Sequence, residues 1–294
     1  IMPDTNIKQA LIPSGSEKLI NTQGTAPGIR ISNKGKEIFI LPGPPREFVP
    51  LVEDELLPFL SENFEKNDMD YQFVLFFNQA ESSLAAEIDK FKPEGLDIAY
   101  LASKGIIKLR FDRNSVSKND FDNFINKIDE VFSDDILAYE NISVEKVLGS
   151  LIAKNDIKVS FVESITGGLL SSLLVKNPGI SKYFYGSDVV YTNEAKAILL
   201  KDEQTDFENW EELCHSLTFS SLDKYDTDIS LTILGEAGPL SSSKYSVGTI
   251  FICISNGDKT VISDHKMNGN RDEILQRSAN KAQWELIKFI KNLY

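Results

Sequence analysis

Two short stretches carry residue types that could cradle an anion or a developing oxyanion and accept a proton. The first is Glu163-Ser164-Ile165-Thr166-Gly167-Gly168, which follows Val159-Ser160-Phe161-Val162. A short β-branched and aromatic run that stops at polar residues and a glycine pair predicts a buried strand. Leu169, Leu170, Leu173 and Leu174 recur at helical spacing and predict a helix beyond it. A strand, a glycine-rich turn and a helix start point main-chain N–H groups and the positive end of a helix dipole at whatever sits above them. That suits a phosphate, a carboxylate or a developing oxyanion. Ser164 and Thr166 would stand at the rim, over Gly167 and Gly168. The plainer role for the glycines is tight packing of helix on sheet, and for Ser164 it is satisfaction of the turn.

The second stretch supplies a base. Asp188-Val189-Val190-Tyr191 reads as a strand and Asn193 to Leu200 as a helix capped by Thr192 or Asn193. Lys196 then falls in the first helical turn, where the dipole disfavours a cation and lowers its pKa. Without burial, a lysine there is simply solvated. Histidine is scarce, with only His215 and His265, and Cys214 and Cys253 are the only cysteines. Adjacency of Cys214 and His215 turns their side chains apart, so for a hydrolase a Ser–Lys arrangement is what remains. By residue type Ser164 is as eligible a nucleophile as any serine nearby.

These stretches need a sizeable scaffold, and 294 residues with 41% apolar and 26% charged content provide one. A net charge of -13 argues against a nucleic-acid partner. No run is long and apolar enough for a membrane span, and no basic-then-apolar leader opens the sequence, so a cytoplasmic location is expected. Two cysteines do not make a disulfide framework, and Cys253 in an apolar run reads as a core residue. No metal site and no cofactor are expected.

Along the chain, Gln23 to Gly28 is a turn cluster, Glu37 to Leu41 reads as a buried strand, and Arg46 to Leu60 reads as a helix after Pro42-Gly43-Pro44-Pro45. Residues 71–139 read as βαββαβ, a ferredoxin-like or KH-like order. Its aromatic stripe Phe121, Phe124 and Phe132 is a core rather than a base-stacking platform. Ser143 to Lys154 is an amphipathic helix. Ile229 to Leu234 and Val247 to Ser255 are further buried strands, Thr260 to Asp264 an edge strand, and Asp272 to Leu293 the terminal helix. Helices on both faces of a mixed sheet are the economical packing.

Five motifs in order resemble the C-terminal domain of the CinA (competence/damage-inducible) family. They are Glu163 to Gly168, Pro178-Gly179-Ile180-Ser181, Tyr191 to Lys196, Gly235-Glu236-Ala237-Gly238-Pro239 and Val247-Gly248-Thr249. In that family the domain is a nicotinamide-nucleotide amidohydrolase. The resemblance implies hydrolysis of nicotinamide mononucleotide to nicotinate mononucleotide and ammonia. It implies Ser181 as nucleophile and Lys196 as base, with Tyr191 and Ser164 nearby. Thr166, Gly167, Gly168, Asn193, Gly235, Ala237, Gly238 and Arg271 would bind the nucleotide. A small-molecule nucleotide substrate and a homodimer are therefore the expected partners.

Asn6, Gln9, Gly24 to Gly28 and Leu41 to Phe48 resemble the closing half of the family's N-terminal, molybdopterin-binding-like domain, linked there to ADP-ribose pyrophosphate hydrolysis. The opening half with its phosphate loop is not in the sequence, so a fragment or truncated homologue is expected. The implied organisation is a partial molybdopterin-binding-like α/β segment at 1–66, a small ferredoxin/KH-like α+β domain at 67–140, and an α/β sandwich at 141–294. Three departures stand out. Leu234 replaces a usual hydroxyl residue, Ser241-Ser242-Ser243 replaces a glycine pair, and Glu203 to Asp228 lacks a His-Gly-x-x-Ser pattern. A diverged, non-catalytic nucleotide-binding or oligomeric scaffold is the alternative, with residual ADP-ribose hydrolysis a third reading.

Overall fold

The computed structural model describes residues 11–64, 70–77, 79–202, 205–241 and 243–294. Asn6, Gln9, Glu203 and Ser242 lie outside the described residues. The chain divides into two compact units, Ile1–Asp68 and Met69–Tyr294.

In the first unit, β1 (Glu17–Leu19), β2 (Gly28–Asn33) and β3 (Lys36–Ile40) form an antiparallel sheet in that order. Lys34 and Gly35, with φ of 50° and 76°, make the two-residue turn that a β2–β3 hairpin favours. Two helices follow, α1 (Pro45–Leu51) and α2 (Leu57–Asn63), joined by a π-helical turn over Val52–Leu56. Pro58 has no N–H to return to the carbonyl one turn back, and widening of the helix there accommodates the loss. The expectation of a buried strand at Glu37 to Leu41 is corrected: Ile38 and Ile40 are 47% and 49% exposed.

The second unit opens with β4 (Tyr71–Phe77), α3 (Glu81–Ile88), β5 (Ile98–Ser103), β6 (Ile106–Asp112), α4 (Lys118–Phe132) and β7 (Ile136–Ala138). Sheet order β5-β6-β4-β7, antiparallel throughout, is the ferredoxin-like arrangement that the βαββαβ order predicts. Strand β4 buries both faces. Val74 and Phe76 join the aromatic core with Phe111, Phe121, Phe124 and Phe132, while Leu75 and Phe77 enter the core of the following layers. That alternation follows from the two-residue period of a strand.

Those layers are α5 (Val144–Lys154), β8 (Val159–Glu163), α6 (Leu169–Leu174), β9 (Phe184–Val189), α7 (Asn193–Leu200), α8 (Trp210–Tyr225), β10 (Ile229–Gly235), β11 (Thr249–Ser255), β12 (Thr260–Lys266) and α9 (Arg271–Lys291). The sheet runs β12-β11-β10-β8-β9, with β9, β8 and β10 parallel and β11 and β12 antiparallel. Helices α5, α6 and α9 cover one face, and α8, with α7 against it, covers the other. The fold class is thus the mixed α/β sandwich expected. One boundary differs: the strand expected at Asp188 to Tyr191 ends at Val189 and begins at Phe184, because Val159 already pairs with Phe184. No helix among the described residues is long and apolar enough to cross a membrane.

The ferredoxin-like sheet and α9 share one core. Phe77 stacks on Trp284 with centroids 5.3 Å apart, and Asn280 Nδ2 donates to Lys104 O at 3.1 Å. Truncation of the buried Trp284 to Ala is expected to cost about 3–5 kcal/mol of unfolding free energy in urea titrations. A loss under about 1 kcal/mol would contradict a shared core.

Candidate active site

The carboxyl ends of β8, β9 and β10 converge on one cleft. From β8 the chain turns into α6 on one face of the sheet, and from β9 it turns into α7 and α8 on the other. Neighbouring parallel strands whose connections leave to opposite faces open a crevice between them, the usual ligand position in open α/β sheets. Here the cleft measures about 290 Å³ and is lined by Ser164, Tyr191, Asn193, Lys196, Trp210 and Glu236, among others.

The turn after β8 is held from within. Glu163 is fully buried, and its carboxylate accepts from Thr166 Oγ1 at 2.7 Å, Gly168 N at 3.0 Å, Leu170 N at 3.0 Å and Ser171 N at 2.8 Å. Ser171 Oγ and Ser187 Oγ add further hydrogen bonds. The N–H groups at the start of α6 therefore face the protein's own carboxylate, as the dipole and the unpaired donors of a helix start favour. This corrects the expected anion cradle. Thr166, Gly167 and Gly168 build the turn, with Gly167 and Gly168 at φ of 58° and 98°, and none of the three lines the cleft.

Lys196 is the second fixed point. Thr192 caps α7 by accepting from Ala195 N at 3.2 Å, which puts Lys196 one turn in and facing the cleft. The lysine is only 8% exposed, so the solvated reading is overturned. Burial holds its amine below the ordinary value of 10.5, against the opposing pull of Glu194 and Glu236. Lys196 Nζ donates to Asn193 Oδ1 at 3.3 Å, and no hydrogen bond joins it to Ser164 or Ser181 among the described residues. Ser164, 8% exposed, has its N–H fixed on Ile233 O at 3.0 Å, while its hydroxyl makes no hydrogen bond among the described residues.

The structure does not bring Ser181 to this cleft. It is exposed on the 3-10 turn Ile180–Lys182 that precedes β9, whereas Lys196 follows the far end of that strand. Main-chain bonding of Val159 N to Tyr183 O places the turn beside the start of β8, and Ser164 lies past its end. Five residues of β8 separate the two serines, roughly 16 Å at strand rise.

The third wall comes from the loop after β10. Gly235 lines the cleft, and a Cβ there would lie 2.7 Å from Ile165 Cδ1 and 2.9 Å from Thr249 O. Ala237 is buried in the core with α5, α6 and α9 and does not line the cleft. Gly238, at φ 78°, turns its carbonyl to the Arg271 guanidinium, which also donates from Nη2 to Tyr191 OH at 2.6 Å. Arg271 is thus a clamp between the loop and the half-exposed Tyr191 at the rim, not a free surface cation. Leu234 packs with Trp210 and Leu217 on the α8 side, giving the cleft an apolar wall.

Glu236, Glu208, Phe207 and Trp210 were not foreseen as lining residues. Glu236 was legible only as the variable position inside a glycine motif, and the other three sit at the start of α8, where spacing carries no signal of a cleft. Cys214 is fully buried with its thiol pushed well above its ordinary value by burial, which removes it as a nucleophile. Cys253 is a core residue as expected, its thiol pushed up by burial to about 11.

Fold and cleft together define an α/β sandwich with a buried lysine at the ends of its parallel strands. A family model of the CinA C-terminal domain matches residues 141–290. A CinA-like protein of Syntrophomonas wolfei is 32% identical over 305 aligned residues, covering 99% of this chain and 73% of its own. Another CinA-like protein, of Flavobacterium psychrophilum, is 30% identical over 302 residues, covering 98% and 72%. A crystal structure of a CinA superfamily protein from Escherichia coli aligns at a TM-score of 0.47 and 21% identity, over 50% of this chain and 90% of its own. The chain belongs to the CinA family.

Replacing Glu163 by Ala strands buried N–H donors at the start of α6, and unfolding stability is expected to fall by more than about 3 kcal/mol. Glu163→Gln keeps one oxygen but turns an NH2 group toward those donors, so it should fall between. A loss below about 1 kcal/mol for the alanine variant, read from urea unfolding, would refute the role.

Proposed function

We propose that the chain hydrolyses the carboxamide of nicotinamide mononucleotide to nicotinate mononucleotide and ammonia, with Ser164 as nucleophile and Lys196 as base. The observation that carries this reading is a desolvated lysine amine and a free serine hydroxyl lining one cleft. A neutral Lys196 takes the Ser164 proton as Oγ attacks the carboxamide carbon. The main-chain N–H of Ile165, the residue after Ser164, donates to no acceptor among the described residues and is the donor this reading assigns to the oxyanion. The resulting ammonium, steadied by Asn193 Oδ1, passes its proton to departing ammonia. Water activated by the same amine then releases the acid from Ser164.

Substrate charge also fits the lining. The pyridinium ring is cationic, and Glu236 and Glu208 give the cleft carboxylates while Trp210 and Tyr191 give it rings. Arg271, beyond Tyr191, is the cation toward which the 5′-phosphate would extend. Family membership, with its amidohydrolase domain, supports the reaction class. Assembly as a homodimer is part of the same reading, supported by exposed Ile198, Val189 and Tyr185 along edge strand β9 and α7.

Ammonia release from the mononucleotide is expected to drop by about a thousandfold or more in Ser164→Ala and in Lys196→Ala. Ser181→Ala should stay within about twofold, the scale of a surface change. Release that survives Ser164→Ala and collapses in Ser181→Ala would sink the assignment. Because the base must be neutral, kcat/KM should rise with pH through the Lys196 pKa, which lies below 10.5. A pH-independent profile would speak against a lysine base. Light scattering should report a dimer that Ile198→Glu dissociates, and an unmutated monomer would remove that element.

A further inference from the structure

We propose that a second cleft, between the ferredoxin-like sheet and α9, binds a small phosphate-bearing molecule through Arg277 and Lys281. It measures about 440 Å³ and shares no lining residue with the Ser164 cleft. Arg277, Lys281, Lys266 and His265 line it, with Phe77 and Met267 as apolar wall. Its volume is that of a small-molecule site rather than a flat docking surface.

The charge there is matched only in part, by Glu285 on Lys281. Arg277 Nε is sealed from solvent with no hydrogen-bond partner, and the guanidinium makes no ion pair among the described residues. The chain carries 44 acidic against 31 basic residues, so carboxylates are not in short supply. Glu285, the acid of this cluster, is already held by Lys281 at 2.8 Å. Lys281 is itself buried, with its amine over the Phe77 ring. Lys266 Nζ donates to Ser246 Oγ and Val247 O, neutral partners that leave its charge standing. Because Nε is sealed, a ligand in the cleft meets the other atoms of Arg277, which lines it.

His265 registers the same field. Its Nε2 lies 3.0 Å from Ser263 Oγ and 3.6 Å from Glu285. Burial, followed by the charge of Lys281, holds its imidazole below the ordinary range, with Lys288 adding to them and Glu285 and Asp264 opposing. A guanidinium fork beside a point-charge ammonium matches a phosphoryl group's several oxygens better than a single carboxylate.

Calorimetric titration of the full chain with inorganic pyrophosphate at low salt tests the site. Saturable one-site binding is expected, weakened at least about tenfold by Arg277→Gln, partly restored by Arg277→Lys, and unchanged in Lys196→Ala. Proton NMR of the unmutated chain supplies a readout that needs no variant. Bound pyrophosphate should raise the His265 pKa and leave His215 alone. Absence of saturable binding up to about 10 mM would overturn the proposal. So would binding that survives Arg277→Gln and disappears in Lys196→Ala, or a His265 titration that pyrophosphate does not move. Ammonia release should persist in Arg277→Gln, so failure here and failure of the amidase reading are separate results.

Discussion

A single buried carboxylate, that of Glu163, determines what the rest of the cleft can be. Placed at the last residue of a fully buried strand, it accepts from the N–H groups that open α6 and from hydroxyls of Thr166, Ser171 and Ser187. A carboxyl group sealed from water is tolerated only when its oxygens find donors, and here the helix start supplies them. Ser164 is the next residue along, so its position is fixed by the same contacts. With the α6 dipole answered from inside, whatever the cleft binds must be recognised by other groups.

Those groups come from three parallel strands that end side by side. Ser164 follows β8, Asn193 and Lys196 follow β9, and Glu236 follows β10. Burial rather than helix position decides the chemistry of Lys196. A first-turn lysine in solvent feels a modest dipole effect that salt screens, whereas desolvation disfavours the ammonium directly. Glu194 and Glu236 oppose that shift. The clamp of Arg271 on Gly238 O and Tyr191 OH ties the rim together without occupying the floor.

Much of the scaffold was legible because periodicity and breakers were unambiguous. Tyr71–Phe77 is the strand its residue types predict, Asn193–Leu200 begins after Thr192, and Thr260 opens the edge strand. The N-terminal strand at Glu37 misled because apolar residues on a three-stranded sheet need not be covered. The cleft was harder to see. An acid directly before a glycine turn and a helix is the signal that Glu163 would cap that helix, yet the same turn reads as a ligand cradle when the acid's direction is unknown. Separation of Ser181 from Lys196 is invisible to spacing, since fifteen residues of chain can either return to a point or run the length of a strand. Only the parallel pairing of β8 with β9 decides that it runs the length.

Helix α9 connects features that the sequence keeps apart. Its first residue, Arg271, holds the rim of the Ser164 cleft, Arg277 and Lys281 line the second cleft, and Trp284 stacks on Phe77 of the ferredoxin-like sheet. From residue 271 to residue 281 is roughly 15 Å of helix at the standard rise, and the capping box of Asn270 and Glu273 anchors its start. The two clefts also differ in sign, one lined by Glu236 and Glu208 around a weakened ammonium, the other by cations in excess of their acids. In a chain of net charge -13 the acidic cleft follows the composition, whereas the cationic one runs against it. Of the two cations on this helix, Lys281 is paired with Glu285, whereas Arg277 leaves Nε without a partner among the described residues and its charge without an acid. An anion between the sheet and the helix would answer that charge, and it would rest on the same rigid element that holds Arg271 at the rim.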